Sequence, residues 1–200
     1  MSPRIGLNLD QIVTAAAEIA DEHGIQQITL STVAQKLNVR SPSLYNHVDG
    51  LPGLRRAMAL KGLEQLREIM MQAAVGRSRD TAIREVARAY LQFVRTQPGL
   101  YEATFYQAEQ NDPSLNKVAN QLLELLFQIL REFELTDDGL IHAGRGLRSV
   151  LHGFSSLERN HGFGLKVDVD TSFEIIITAF LHGLQQMKKD APSVSSSTDQ

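Results

Sequence analysis

The sequence predicts an all-α protein, and three observations carry that prediction. Apolar residues recur at three- and four-residue spacing through nearly every segment, and no run alternates as a half-buried strand would. Glycine and proline punctuate those stretches at Gly24, Gly50, Gly76, Pro98-Gly99 and Asp112-Pro113, as the ends of successive helices require. Residues 29–54 pack two short helical patterns around a tight turn. The count is about nine helices, divided between an N-terminal three-helix head and a C-terminal helical body.

The first helix is expected from Asn8 or Asp10 to His23, with Leu9, Ile12, Val13, Ala16, Ile19 and Ala20 as its apolar stripe and Gly24 as its C-terminal cap. A second starts near Ser31, a good N-cap, with Val33, Ala34 and Leu37 inward. Asn38-Val39 makes the turn. The third helix, 41–48, starts at Ser41 or Pro42, because proline suits a first turn that needs no N–H. Asp49-Gly50 and Pro52-Gly53 break the chain before a long helix ending near Val75. The next helix, 79–96, is striped by Ile83, Val86, Ala87, Tyr90, Leu91 and Val94. A short aromatic helix runs from Leu100 to about Tyr106. Asp112-Pro113 opens a helix to Phe133. A helix over 137–160 contains Gly144, Gly146 and Gly153, which point to close approach by another helix or to open space. Thr171 to Glu174 fits a capping box for the last helix, 171–189. The Ser-rich residues 191–200 are predicted as a disordered tail. The domain expectation is thus a head over 1–52, a body over 53–190, and that tail.

The 200 residues suffice for one or two domains. There is no cysteine, which excludes disulfides, thiolate zinc sites and cysteine nucleophiles. No apolar h-region or membrane-length apolar run is present. The expectation is a soluble, cytoplasmic protein without membrane association. Net charge is −3, and residues 1–50 carry Arg4, Lys36 and Arg40 against Asp10, Glu18, Asp21, Glu22 and Asp49. No broad basic patch exists by count, so nucleic acid would have to be held by a few cations with neutral donors and helix N-termini.

Two short helices joined by a tight turn form a helix-turn-helix, whose second helix is sized for the major groove of double-stranded DNA. The candidate DNA-binding residues are Thr32, Lys36, Arg40, Ser41, Pro42, Ser43, Leu44, Tyr45 and His47. Arg40 and Ser41 stand at the entry of the reading helix, where a guanidinium pairs bidentately with guanine or singly with phosphate. Ser43 points outward in the first turn. Thr32 lies beside a helix N-terminus, where unpaired N–H groups favour anions. Lys36 adds a charge. Plainer roles compete with these: Ser41 as an N-cap, Tyr45 as core with an exposed hydroxyl, and Arg40 and His47 as solvated surface.

The ordered run of Ala16, Gly24, Thr29, Val33, Ala34, Leu37, Val39, Leu44, Tyr45, His47 and Leu54 resembles the DNA-binding domain of TetR-type bacterial transcriptional regulators over roughly residues 9–56. The resemblance implies that Tyr45 and His47 donate to phosphates. It also implies a homodimer that binds a near-palindromic operator and releases it when a small molecule occupies the body. Phe93 to Tyr101, Phe105 and Leu151-His152-Gly153 are similar to the TetR subgroup named for a C-terminal Trp-His-Gly motif, with Leu151 in place of tryptophan. Two departures touch DNA contacts. Gly50 or Leu51 stands where the family often has lysine, and the N-terminal arm offers only Arg4.

For an effector pocket the candidates are Tyr90, Phe93, Tyr101, Phe105, Tyr106, Phe127 and His152, since aromatic walls with a few polar groups suit small apolar or amphipathic molecules. Core packing is the competing role for each. The two C-terminal helices have broad apolar faces, and Leu147, Leu151, Phe154, Phe173, Ile177, Phe180, Leu181 and Leu184 are the candidate dimer interface. No catalytic, metal or cofactor signal appears. There is no Gly-x-Ser-x-Gly elbow, Gly144-x-Gly146 follows no strand, and the histidines show no metal-binding spacing. The reading is a ligand-responsive, dimeric DNA-binding regulator, most readily a repressor. The alternative is a small-molecule-binding helical protein with impaired DNA binding that acts through protein partners.

Overall fold

The computed structural model describes residues 6–105 and 112–189. They form eight α-helices and two short 3-10 helices, with no strand among the described residues. With the three-residue turn Ile25–Gln27 set aside, these are the nine helices expected. None of them is long and apolar enough to cross a membrane. The residues cluster into two compact units, 1–69 with 92–122 and 70–91 with 123–200.

In the first unit, α1 (Leu9–His23) opens on a reciprocal cap. The Gln11 backbone N–H donates to Asn8 Oδ1 at 2.9 Å, and the Asn8 N–H donates to Gln11 Oε1 at 3.1 Å. The helix closes at Gly24, whose N–H reaches Ala20 O at 2.9 Å. Ile12, Val13, Ala16, Ile19 and Ala20 are buried, while Leu9 of the expected stripe is exposed. In α2 (Leu30–Lys36) the N-cap is Thr29, not Ser31. Thr29 and Thr32 cap each other, a box closed by threonine where glutamate or glutamine is usual. Asn38 takes the left-handed conformation (φ 53°) that turns the chain.

The expected third helix is shorter and tighter, a 3-10 helix over Ser41–Asn46 with Pro42 in its first turn. Leu44 and Val48 pin it to the core. The expected break at Asp49-Gly50 is present, with a turn over 47–49 and a positive φ (65°) at Gly50. The second, at Pro52-Gly53, is not: helix α3 (Gly50–Ala74) holds Pro52 and Gly53 in its first turn, where a missing N–H costs nothing.

Helix α4 covers Arg79–Thr96, and α5 covers Pro98–Ala103. The predicted extension of α5 to Tyr106 falls outside the described residues. Helix α5 is packed backbone to backbone. A Cβ on Gly99 would stand 2.4 Å from Ala20 Cβ and 2.9 Å from Ala17 O, and one on Gly62 would stand 2.6 Å from Leu100 O. Gln97 gives α5 no side-chain cap; instead Asp21 Oδ1 accepts from the Gly99 N–H at 2.6 Å.

Helix α6 covers Pro113–Arg131. As expected, Asp112 starts it, accepting from the N–H groups of Ser114 and Leu115 at 2.9 and 3.1 Å. The same carboxylate takes both Nε and Nη2 of Arg56 in α3.

The second unit holds α7 (Asp137–Arg159), α8 (Val169–Lys189) and the adjoining parts of α3, α4 and α6. Its core is built from Ile83, Val86, Leu130, Phe133, Leu147, Leu151, Phe173, Ile177 and Leu181, all buried. Two of the three α7 glycines singled out from the sequence meet another helix, as one alternative expected. A Cβ on Gly144 would meet Phe127 of α6 at 3.0 Å and one on Gly146 would meet Phe180 of α8 at 3.3 Å, while Gly153 faces open space. The expected capping box at Thr171–Glu174 does not form. Helix α8 starts two residues earlier, and Asp168 Oδ2 accepts from the Thr171 N–H at 2.6 Å. Arg88 and Arg84 of α4 then hold Glu174 of α8 at 2.6 and 3.6 Å.

Candidate nucleic-acid interface

The 3-10 helix separates inward from outward side chains in the way a reading element must. Leu44 is 0% exposed and Tyr45, its neighbour, 63% exposed. Arg40, Pro42 and His47 are exposed, and Ser41 and Ser43 are half-buried. Arg40, Tyr45 and His47 therefore offer a guanidinium, a phenol and an imidazole on the solvent side of one short segment. Leu44 belongs off the list of contacts. It is an anchor that no duplex reaches, because a side chain with no accessible surface has nothing to present.

Two further candidates are committed within the chain. The Thr32 hydroxyl accepts from the Thr29 N–H at 3.0 Å and lies 2.9 and 3.1 Å from the carbonyl oxygens of Thr29 and Gln27, so its single proton is already used. Lys36 Nζ lies 3.0 Å from Glu18 and 3.8 Å from Glu22, both on α1. The hydrogen bond to Glu18 and the charge of Glu22 hold this ammonium above its ordinary pKa, against a smaller opposing effect of burial. Its charge is thus matched internally before any phosphate arrives. Thr32 and Lys36 share the wall of a cleft of about 740 Å³ with Glu22, His23 and Gln35. Lys36 stands alone in its segment, so its spacing gave no sign of partners on another helix.

The expected effector residues fall in both units. Phe93 and Tyr101 are buried in the first unit, with Phe105 exposed and edge-on to Tyr101 at 5.1 Å between ring centres. Tyr90 is buried in the second unit, where Phe127 and His152 are half-buried. Tyr106 lies outside the described residues. Phe127 packs on Gly144, the core role that competed with a pocket wall.

The proposed interface residues also need correction. Leu147, Leu151, Phe154, Phe173, Ile177, Leu181 and Leu184 are all buried inside the chain, and Phe180 is half-buried. A side chain already enclosed by its own chain has almost no area left for a partner. The exposed apolar residues on the same helices are Ile141, Leu157, Ile175 and Ile176. Periodicity identified the apolar face correctly but could not say that two helices of one chain cover it. Among the described residues, no cluster of three His, Asp or Glu side chains is placed to hold a metal ion.

A family model described as "Tetracyclin repressor-like, C-terminal domain" matches residues 83–180. That description does not extend to the Trp-His-Gly subgroup. The uncharacterized HTH-type transcriptional regulator YobS of Bacillus subtilis is 40% identical over 185 residues, 92% of this chain and 96% of that protein. The tetracycline repressor protein class D of Escherichia coli is 33% identical over 84 residues, 42% of this chain and 38% of that protein. Among solved structures, the transcriptional regulator SCO7222, a TetR from Streptomyces coelicolor, superposes with a TM-score of 0.72 at 19% identity, over 92% of this chain and 100% of that one. An all-helical chain with an N-terminal helix-turn-helix, matched at both ends to such proteins, belongs to the TetR family of transcriptional regulators.

Proposed function

We propose that this chain is a homodimeric repressor whose head, residues 1–52, reads a near-palindromic operator and is released from it by a small molecule bound in the body, residues 53–190. The observation that carries the reading is the division of the 3-10 helix, with Leu44 and Val48 buried and Arg40, Tyr45 and His47 exposed. Arg40 is the base or phosphate contact at the entry of the reading segment, and Tyr45 and His47 donate to phosphates. Ser41, Pro42 and Ser43 set the close approach of the backbone. No catalytic step or cofactor is part of the reading, and the site of action is the cytoplasm, where the operator is.

Two copies pair through the exposed faces of α7 and α8, with Leu157, Ile175, Ile176 and the half-buried Phe180 in place of the buried residues. Such a pairing is isologous, so each residue counts twice.

The test is a gel shift of the full chain against DNA upstream of its own coding region, across a salt series. Binding that weakens with salt and is competed poorly by random DNA supports the proposal. Failure to bind any upstream fragment refutes it. It would favour the second reading, a ligand-binding helical protein acting through protein partners, which draws on the acidic excess of the head and the internal pairing of Lys36.

A further inference from the structure

The geometry points to a clasp between two copies of the chain: the tip Leu165-Lys166-Val167 of the α7–α8 connector, residues 160–168, seats in the cleft at the start of α8 of a second copy. This deepens the pairing through α7 and α8 proposed above and rests on it. Leu165 is 83% exposed and Val167 67%, and Leu157, Phe163, Ile175 and Ile176 at the same end of the two helices are exposed too. Single exposed apolar side chains are ordinary, but a cluster of them marks a surface that another molecule covers.

The connector holds these side chains outward from both of its ends. Phe163 anchors the near end, its ring centre 4.9 Å from that of Phe154, which lies in turn 5.0 Å from that of Phe173. Asp168 anchors the far end by accepting from the Thr171 N–H. Between them the Val167 N–H donates to Leu165 O at 2.9 Å, a tight turn with Lys166 at its apex. The tip thus presents one ammonium between two apolar side chains. Lys166 is exposed and makes no hydrogen bond or ion pair among the described residues, although Asp170 of its own chain is close in sequence.

The cleft beside the tip has the complementary character. It encloses about 440 Å³ and is lined by Asp168, Asp170, Thr171, Glu174, Ile175 and Thr178. Its charged groups are all carboxylates, and Ile175 supplies an exposed apolar wall. Glu174 is held by Arg84 and Arg88 of α4, so Asp170, exposed in the first turn of α8, is the carboxylate assigned to Lys166. Tip and cleft adjoin on one chain. A two-fold axis between two such ends therefore sets each tip against the other copy's cleft and makes the contact twice. Leu165 and Val167 then cover Ile175 of the partner subunit, and Lys166 meets Asp170 of the partner subunit.

The experiment is sedimentation equilibrium of the full chain and its variants, with the dimer dissociation constant as the readout and circular dichroism to show that each variant is folded. Leu165→Asp is expected to raise that constant at least ~100-fold, since the loss of one buried leucine contact, ~10-fold, occurs twice. Lys166→Asp and Asp170→Lys are each expected to raise it at least ~10-fold, because each sets like charges together at both contacts. Mixed in equal amounts, the two charge variants are expected to associate with each other about as tightly as the parent chain does, because every contact of the mixed dimer again joins opposite charges. Three results would overturn the clasp. A parent chain that stays monomeric refutes it together with the pairing of α7 and α8. A dimer that Leu165→Asp or the charge variants leave unchanged refutes the clasp alone and leaves that pairing standing. Charge variants that are weakened singly but do not rescue each other place the tip against some surface other than the cleft.

Discussion

Replacing Gly99 with alanine sets two effects of opposite sign against each other, and the structure decides between them. Gly99 is the second residue of α5, and alanine in a helix is favoured over glycine by ~1 kcal/mol, so local propensity alone forecasts a gain. The new Cβ, however, would lie 2.4 Å from Ala20 Cβ and 2.9 Å from Ala17 O. Neither atom is the end of a flexible side chain, so relief requires α5 to move away from α1. That movement is resisted on its other side, where Leu100 O already sits against Gly62, and it stretches the Asp21–Gly99 hydrogen bond. Overpacking of this kind costs about 1–3 kcal/mol, and here the upper part of that range applies because no direction is open. The net expectation is a loss of about 1–2 kcal/mol after the propensity gain, or a Tm lower by ~2–8 °C for a chain of this size. Thermal unfolding followed by circular dichroism measures it. Ala20→Gly removes the nearer obstruction, so the double variant should be more stable than the sum of the single changes by ~1 kcal/mol. A Gly99→Ala chain that melts at or above the parent temperature refutes the close-packing argument.

Three other outcomes follow from the geometry. Arg40→Ala should weaken operator binding and lower the salt slope by about one, whereas Lys36→Gln should leave that slope nearly unchanged because Glu18 and Glu22 already match its charge; equal slopes for both variants contradict this. Arg56 holds the Asp112 carboxyl below the usual carboxylate range, so the ionised pair stabilises the fold above the unfolded value near pH 4 and the contribution disappears as pH falls through the lower folded value. Asp112→Asn should therefore melt below the parent at neutral pH, with a gap that closes only in acid; a gap independent of pH would show that the pair is not its source. Ile176→Glu, on the exposed side of α8, should convert a dimer to monomer in sedimentation, since two charges are buried per interface at ~2 kcal/mol or more each; an unchanged mass places the interface elsewhere.

Much of the fold is legible in the sequence because helical periodicity and caps are local. Asn8, Gly24, Asn38 and Asp112 act where their chemistry places them. The differences at helix ends are local as well, because more than one residue nearby can serve as the cap. Thr29 took the cap expected of Ser31 by pairing with Thr32, and Asp168 displaced the Thr171 box by starting α8 two residues earlier. Pro52-Gly53 read as a break, yet a first helical turn absorbs both. In the candidate site, the exposure of Arg40, Tyr45 and His47 agrees with their place in the motif. The commitments of Lys36 to α1 and of Arg56 to Asp112 were not, since those partners lie 14 to 56 residues away. The buried faces of α7 and α8 show the same limit. A stripe declares that it must be covered, but its periodicity is the same whether the cover is a neighbouring helix or another molecule.

The internal matching of Lys36 bears on how a regulator of this kind finds its address. Non-specific grip on a duplex comes almost wholly from unmatched cations, and this head keeps few. A protein so equipped lingers little on random sequence and is not soaked up by the rest of the chromosome. On the proposed function, residence at an operator then hangs on shape and hydrogen bonding.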